Sequence, residues 1–191
     1  VSKNTSKALP AWVPALALFL VTAALYSPAL SFDFVGYDDD DYVTENPYVQ
    51  RGLTGEMAAW AFTTGYGSNW FPLTWISHAA DWQFAGPKPA LHHATNIILH
   101  AINSVLLFML LKRTTQAVWP SFVVSALFAV HPFNVESVAC IAERKNVLSM
   151  FFMTVVGSPG NMIVAARSMA GTEVPTSFPQ GAFPFAPFGH G

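Results

Sequence analysis

Charge is what this sequence has least of. Only 10% of its 191 residues are Asp, Glu, Lys or Arg, against about 25% in ordinary soluble domains, and 52% are hydrophobic. A formal net charge of −2 leaves no basic footprint for nucleic acid. The single cysteine, Cys140, excludes an internal disulfide framework and any zinc site built from several cysteines. There is no GxSxG, no P-loop and no GxGxxG, so hydrolase and nucleotide-binding readings have nothing to stand on. Charge this sparse points to a membrane.

The hydrophobic residues fall into runs of the right length. Ala8 to Leu30 carries no charge and exceeds the roughly 20 apolar residues that a bilayer core requires. A second spanning segment is predicted over residues 94–111, ending at Lys112–Arg113, and a third over 117–133. A fourth begins at 147–156 and stops. Basic flanks favour the cytoplasmic side. Lys3, Lys7, Lys112 and Arg113 therefore place residues 31–93 and 134–146 outside. Arg144 and Lys145 then lie outside against that trend, which suggests that something there requires positive charge.

The first outer segment opens on four consecutive aspartates, Asp38 to Asp41. Adjacent carboxylates repel when all are ionised, which favours a metal, a basic partner or a proton-accepting role. The bland alternative is a hydrated acidic loop. No DxDxDG loop accompanies them, so calcium is a minor reading. The segment also carries Trp60, Trp70, Trp75 and Trp82, a density suited to the headgroup region. Thr54 is placed to N-cap a helix running through Phe62, with Glu56 near its positive end. Trp75, His78 and Trp82 form a helical stripe. We expect this segment to pack on the membrane surface rather than fold as a separate soluble domain.

Two further groupings carry polar chemistry. His93, Asn96, His100 and Asn103 share one face of the second span. They read either as glue between helices or as substrate-binding groups, with His93 nearest the outer surface. Glu136 and Glu143 are seven apart, on one face if this stretch is a single interfacial helix. Beside them Arg144 and Lys145 are candidates to receive a phosphate, and the alternative is an amphipathic helix with solvated charges. From Ser158 onward Gly, Pro, Phe and Ser dominate and no periodicity persists, which predicts an irregular tail.

Four segments together resemble one family in order and spacing: residues 34–47 (FVGYDDDDYVTENP), 69–75 (NWFPLTW), 92–103 (HHATNIILHAIN), and 131–138 with 142–148 (HPFNVESV, AERKNVL). The family is that of the membrane-embedded, tetratricopeptide-repeat-bearing glycosyltransferases of the GT-C class, and the resemblance covers about residues 8–155. It implies an all-α, multi-spanning transmembrane helical protein, here a GT-C-like N-terminal part over 1–156. A helical extracytoplasmic first loop and an irregular C-terminal tail over 157–191 complete the expectation.

The resemblance further implies a polyprenyl-phosphate sugar donor, a membrane-lipid environment, and transfer to a hydroxyl acceptor, often on protein, at the extracytoplasmic face. Asp38 becomes the candidate base and Asp39 its assistant. Asp39 and Asp40 are the places for a divalent metal, whose requirement stays open. Glu136 is the second acidic position, and Arg144 and Lys145 the donor-phosphate residues. The wording of the motifs is nearer the bacterial branch, which implies a bacterial inner membrane. Where related bacterial sequences read NWHPLTW, HPxHVES and ERKD, this chain holds Phe71, Asn134 and Asn146, so metal or proton-relay roles there are in question. The hydrophobic pattern breaks near Val156 and no repeat of about 34 residues follows. The expectation is therefore a truncated or out-of-frame remnant, and the competing function is a non-catalytic membrane fragment or interaction module. A small channel built on the His/Asn stripe ranks below both.

Overall fold

The computed structural model describes residues 10–36, 38–66 and 70–156; the tail expected over 157–191 lies outside the described residues. Among these residues every regular element is helical. Helix α1 (Trp12–Tyr26) runs on as a 3-10 turn, Ser27–Ser31, and together they form one candidate span. After the connection come α2 (Gly55–Thr63), α3 (Pro72–Ala85) and the long α4 (Pro89–Thr115). The chain then forms α5 (Val118–Ala129), α6 (Phe133–Ala139) and α7 (Arg144–Val156).

Helix α4 is the axis of the molecule. Its 27 residues rise about 40 Å, more than the roughly 30 Å of a hydrocarbon core, so it is longer at both ends than the predicted 94–111. Proline sits in its first turn, where no N–H is needed. Gln116 ends it in the left-handed conformation, with φ 57° and its N–H donating to the Lys112 carbonyl at 2.9 Å. Helices α1, α5, α6 and α7 all pack on α4. Leu18, Phe108 and Ala129 seal one level of the bundle. Tyr26, Ile97, Val138 and Val147 seal the level nearer the acidic segment.

The predicted third span is divided. Helix α5 has 12 residues, about 18 Å, and the chain bends by 62° before α6. Pro132 explains the break, because its ring disfavours a helical conformation at the preceding His131. Two helices are thus long and apolar enough to cross a membrane, or three if the bent α5–α6 pair counts as one broken span. A second break follows at Cys140, whose backbone is extended. Glu136 therefore stands on α6 and Glu143 in the turn before α7, and a single helix carrying both does not form.

The connection between α1 and α4 folds over the α6–α7 junction. Thr54 caps α2 as expected, its Oγ1 accepting from the Met57 N–H at 3.1 Å. The core under α2 and α3 contains Tyr42, Val49, Met57 and Trp75, completed by Ile141 and Ala142 from the far side of the chain. The connection therefore shares its core with the α6–α7 junction. Trp75 is fully buried with Tyr42 4.8 Å and Trp60 5.4 Å away, ring centre to ring centre. Of the tryptophans expected at headgroups, Trp70 is the exposed one.

Candidate functional site

The four aspartates do not act as a cluster. Asp38 and Asp39 sit in a helical turn that widens into a π-type turn, Asp40–Thr44, closed by the Glu45 N–H on the Asp40 carbonyl at 2.8 Å. Helical rotation then sends neighbouring side chains in different directions. Asp39 is buried. Its Oδ2 accepts from the Val35 N–H at 3.0 Å and its Oδ1 from the Ala142 N–H at 2.9 Å, 103 residues away. Asp40 accepts from the Thr44 hydroxyl at 2.7 Å. Asp38 and Asp41 face outward, exposed. Among the described residues no three His, Cys, Asp or Glu side chains gather as a metal-holding group. Both Asp39 oxygens, expected to assist the base or bind metal, are held by backbone donors.

Beneath this turn lies a buried ionic clasp. Arg144 is fully enclosed, and its guanidinium pairs with Asp81 at 2.5 Å. It donates to Asn96 Oδ1 (2.8 Å), Ser77 Oγ (3.1 Å) and the His92 carbonyl (2.7 Å). Asp81 Oδ1 accepts from Thr95 Oγ1 at 2.8 Å. Burial draws the Arg144 pKa down from its usual value, opposed by Asp81. An arginine so occupied has no free face for a phosphate, so the expected phosphate role of Arg144 meets a different arrangement: it bolts α3, α4 and α7 together. Asp81 was not singled out from sequence. A lone carboxylate one helical turn from His78, on the Trp75–His78–Trp82 face of so charge-poor a chain, was the available signal.

The stripe on α4 divides as well. Asn96 Nδ2 donates to the Cys140 carbonyl (2.9 Å) and Asn103 Nδ2 to the Val147 carbonyl (2.8 Å). His100 Nε2 meets the Ala129 carbonyl (3.1 Å). These three join α4 to its neighbours. His93 is buried, with Phe32 edge-on at 6.2 Å, and neither ring nitrogen makes a hydrogen bond of ordinary geometry. His78, on α3, is likewise enclosed and unpartnered, facing Tyr42 and His92. Burial, then the charges of Arg144 and His92, hold its pKa well below the usual imidazole value.

Glu136 is exposed on α6, in a depression shared with His131, Pro132 and Phe133. Lys145 is better placed. Its Nζ donates to Glu143 at 2.9 Å and lies 5.3 Å from the centre of the Tyr42 ring. Burial lowers its pKa, but Glu143, Tyr42 and the nearby Asp38 outweigh it and raise the value overall. Lys145 heads an apolar groove of about 620 Å³ walled by Phe62, Trp70, Phe71, Leu148 and Phe152. Phe71, one of the departures from the motif wording, is part of that wall. Asn134 and Asn146, the other two, share a smaller cavity of about 140 Å³ with His100 and Asn103.

These features define an all-α integral membrane protein with an acidic turn folded against a buried clasp. In sequence, residues of this chain are 33% identical over 150 positions to Protein O-mannosyl-transferase TMTC1 of Mus musculus, covering 72% of this chain and 16% of that protein. They are 30% identical over 172 positions to Protein O-mannosyl-transferase TMTC1 of Homo sapiens, covering 84% and 18%. With Protein O-mannosyl-transferase TMTC2 of Homo sapiens the identity is 29% over 138 positions, covering 68% and 16%. The chain is a relative of this protein O-mannosyl-transferase family, and it spans about a sixth of the length of the members it matches. No protein-family model and no solved structure matches it.

Proposed function

We propose that the chain carries the acidic turn and part of the donor groove of a membrane glycosyltransferase of the GT-C class. The reaction moves a sugar, a mannose by analogy with the relatives' names, from polyprenyl phosphate to a hydroxyl on a protein acceptor. The observation that carries this is a juxtaposition: exposed Asp38 stands on a turn that Asp39 ties to the backbone at Ala142, the Lys145 ammonium lies over the ring of Tyr42 from that same turn, and Lys145 lines an apolar groove.

In this reading the prenyl chain lies along Phe71, Leu148 and Phe152, and the phosphate meets the Lys145 ammonium. Asp38 accepts the proton of the acceptor hydroxyl as the new bond from its oxygen to the sugar C1 forms. The C1–O bond to phosphate breaks, and the phosphate leaves with the electron pair, its charge offset by Lys145. General-base help of this kind contributes about 10²–10⁴-fold. The site faces the extracytoplasmic side of an inner membrane of bacterial type, with residues 31–93 outside.

A second reading has one observation in its favour. Asp39 and Arg144, two residues expected to act on substrate, are both buried and satisfied as structural ties, as a non-catalytic membrane module would have them. The test is transfer of radiolabelled sugar from polyprenyl phosphate to a Ser/Thr peptide by the purified chain. Titration of polyprenyl phosphate onto the same samples runs beside it. Loss of transfer in Asp38→Asn but not in Asp41→Asn, with donor binding weakened in Lys145→Gln alone, supports the enzyme. No transfer by wild type, or equal loss at Asp38 and Asp41, favours the module.

A further inference from the structure

A second groove lies at the opposite end of the spans. Helix α1 runs towards the acidic segment and α4 runs back from it, so the start of α1 and the end of α4 lie together, far from Asp38. Between them is a cavity of about 620 Å³ whose walls are Trp12, Ala15, Phe108 and Met109 and whose rim holds Lys112 and Arg113. Among the described residues neither cation is paired with a carboxylate. Trp12 is 65% exposed and Trp119, at the start of α5, 61%. Indole rings at this level are what a bilayer's headgroup boundary selects. An apolar slot with two cations at one end, neither paired with a carboxylate among the described residues, has the charge order of a single lipid.

We propose that this groove binds one anionic phospholipid, its acyl chain lying against Ala15, Phe108 and Met109 and its phosphodiester between Lys112 and Arg113. The C-terminus of α4 opposes an anion with only about half a negative charge, against two full positive charges. Long basic side chains at a helix end reach the headgroup level without unburying their stems. A neutral lipid would fill the same groove, but its ammonium would sit among like charges, so selectivity for anionic headgroups is the consequence that distinguishes the proposal.

The test reconstitutes the full chain into bilayers of phosphatidylcholine with phosphatidylglycerol, extracts it into mild detergent and counts retained lipids by native mass spectrometry. Wild type should keep one phosphatidylglycerol in preference to phosphatidylcholine. The double variant Lys112→Gln/Arg113→Gln should weaken that retention by about 10- to 30-fold, the scale expected for two basic residues at a lipid surface. Lys88→Gln, at the other end of α4 and exposed, should leave it unchanged. Ala15→Trp fills the slot with both charges intact and should reduce retention of either lipid. Equal retention of the two lipids by wild type overturns the proposal, as does a double variant that keeps its phosphatidylglycerol. So does an Ala15→Trp chain that binds normally.

Discussion

The clasp around Arg144 makes the sharpest prediction. Removing the guanidinium by Arg144→Ala leaves Asp81 as a buried carboxylate without its cation, and strips donors from Asn96, Ser77 and the His92 carbonyl. Breaking one side of a buried pair costs about 3–5 kcal/mol, a large share of the 5–15 kcal/mol that holds a typical domain together. Arg144→Lys keeps the charge but not the planar fork that reaches four partners, and should cost about half as much. The decisive measurement is a double-mutant cycle of Arg144→Met with Asp81→Leu, followed by thermal unfolding in detergent micelles. The double variant should be less destabilised than the sum of the singles by at least about 2 kcal/mol, since no orphaned charge remains. Should Arg144→Ala unfold the chain outright, Arg144→Lys and the double variant still decide the matter. Additive losses, or a cost for Arg144→Lys under about 0.5 kcal/mol, would refute the clasp.

Other expectations follow from neighbouring geometry. Asp39→Asn orphans a backbone N–H at Val35 or Ala142 and removes the charge from both bonds, costing about 2–3 kcal/mol. Asp38→Asn, at an exposed position, should change stability by no more than about 0.5 kcal/mol; thermal unfolding of the pair reads the contrast directly. His78 has its folded pKa depressed, so the unfolded chain binds more protons below the ordinary value near 6.5 and stability falls as pH drops through that region. Unfolding curves between pH 7.5 and 5 should show this loss, and His78→Phe should make it smaller. Gly52 adopts φ 69°, and a Cβ there would lie 3.2 Å from Gln83, whose Oε1 accepts from the Leu53 N–H at 2.8 Å. Gly52→Ala should therefore lower the melting temperature more than Gly55→Ala, where a Cβ meets open space.

Much of this protein is legible along the chain, because the determinants are local. A run of apolar residues of bilayer length is enough to mark α1 and α4. A threonine before Gly55 is enough to cap α2, since a side-chain oxygen has only to reach a backbone N–H three residues on. The motif wording was enough to point to the relatives. Even the His/Asn stripe was visible, its 3.6-residue period being a property of the helix alone.

What the chain order could not decide was which polar groups are buried and against what. Asp38 and Asp39 are neighbours of identical chemistry, yet one faces water and the other binds the backbone at Ala142. The difference lies in where the α6–α7 junction comes to rest. Arg144 and Lys145 are separated in the same way, one sealed between α3 and α4 and the other left at the head of a groove. The apolar run over 117–133 reads as one span, and only the fold shows the chain turning by 62° between α5 and α6. Composition and periodicity record what each residue prefers. Only packing across a hundred residues of separation assigns the few buried charges their partners, and that assignment divides the residues that hold this site together from those left free to act.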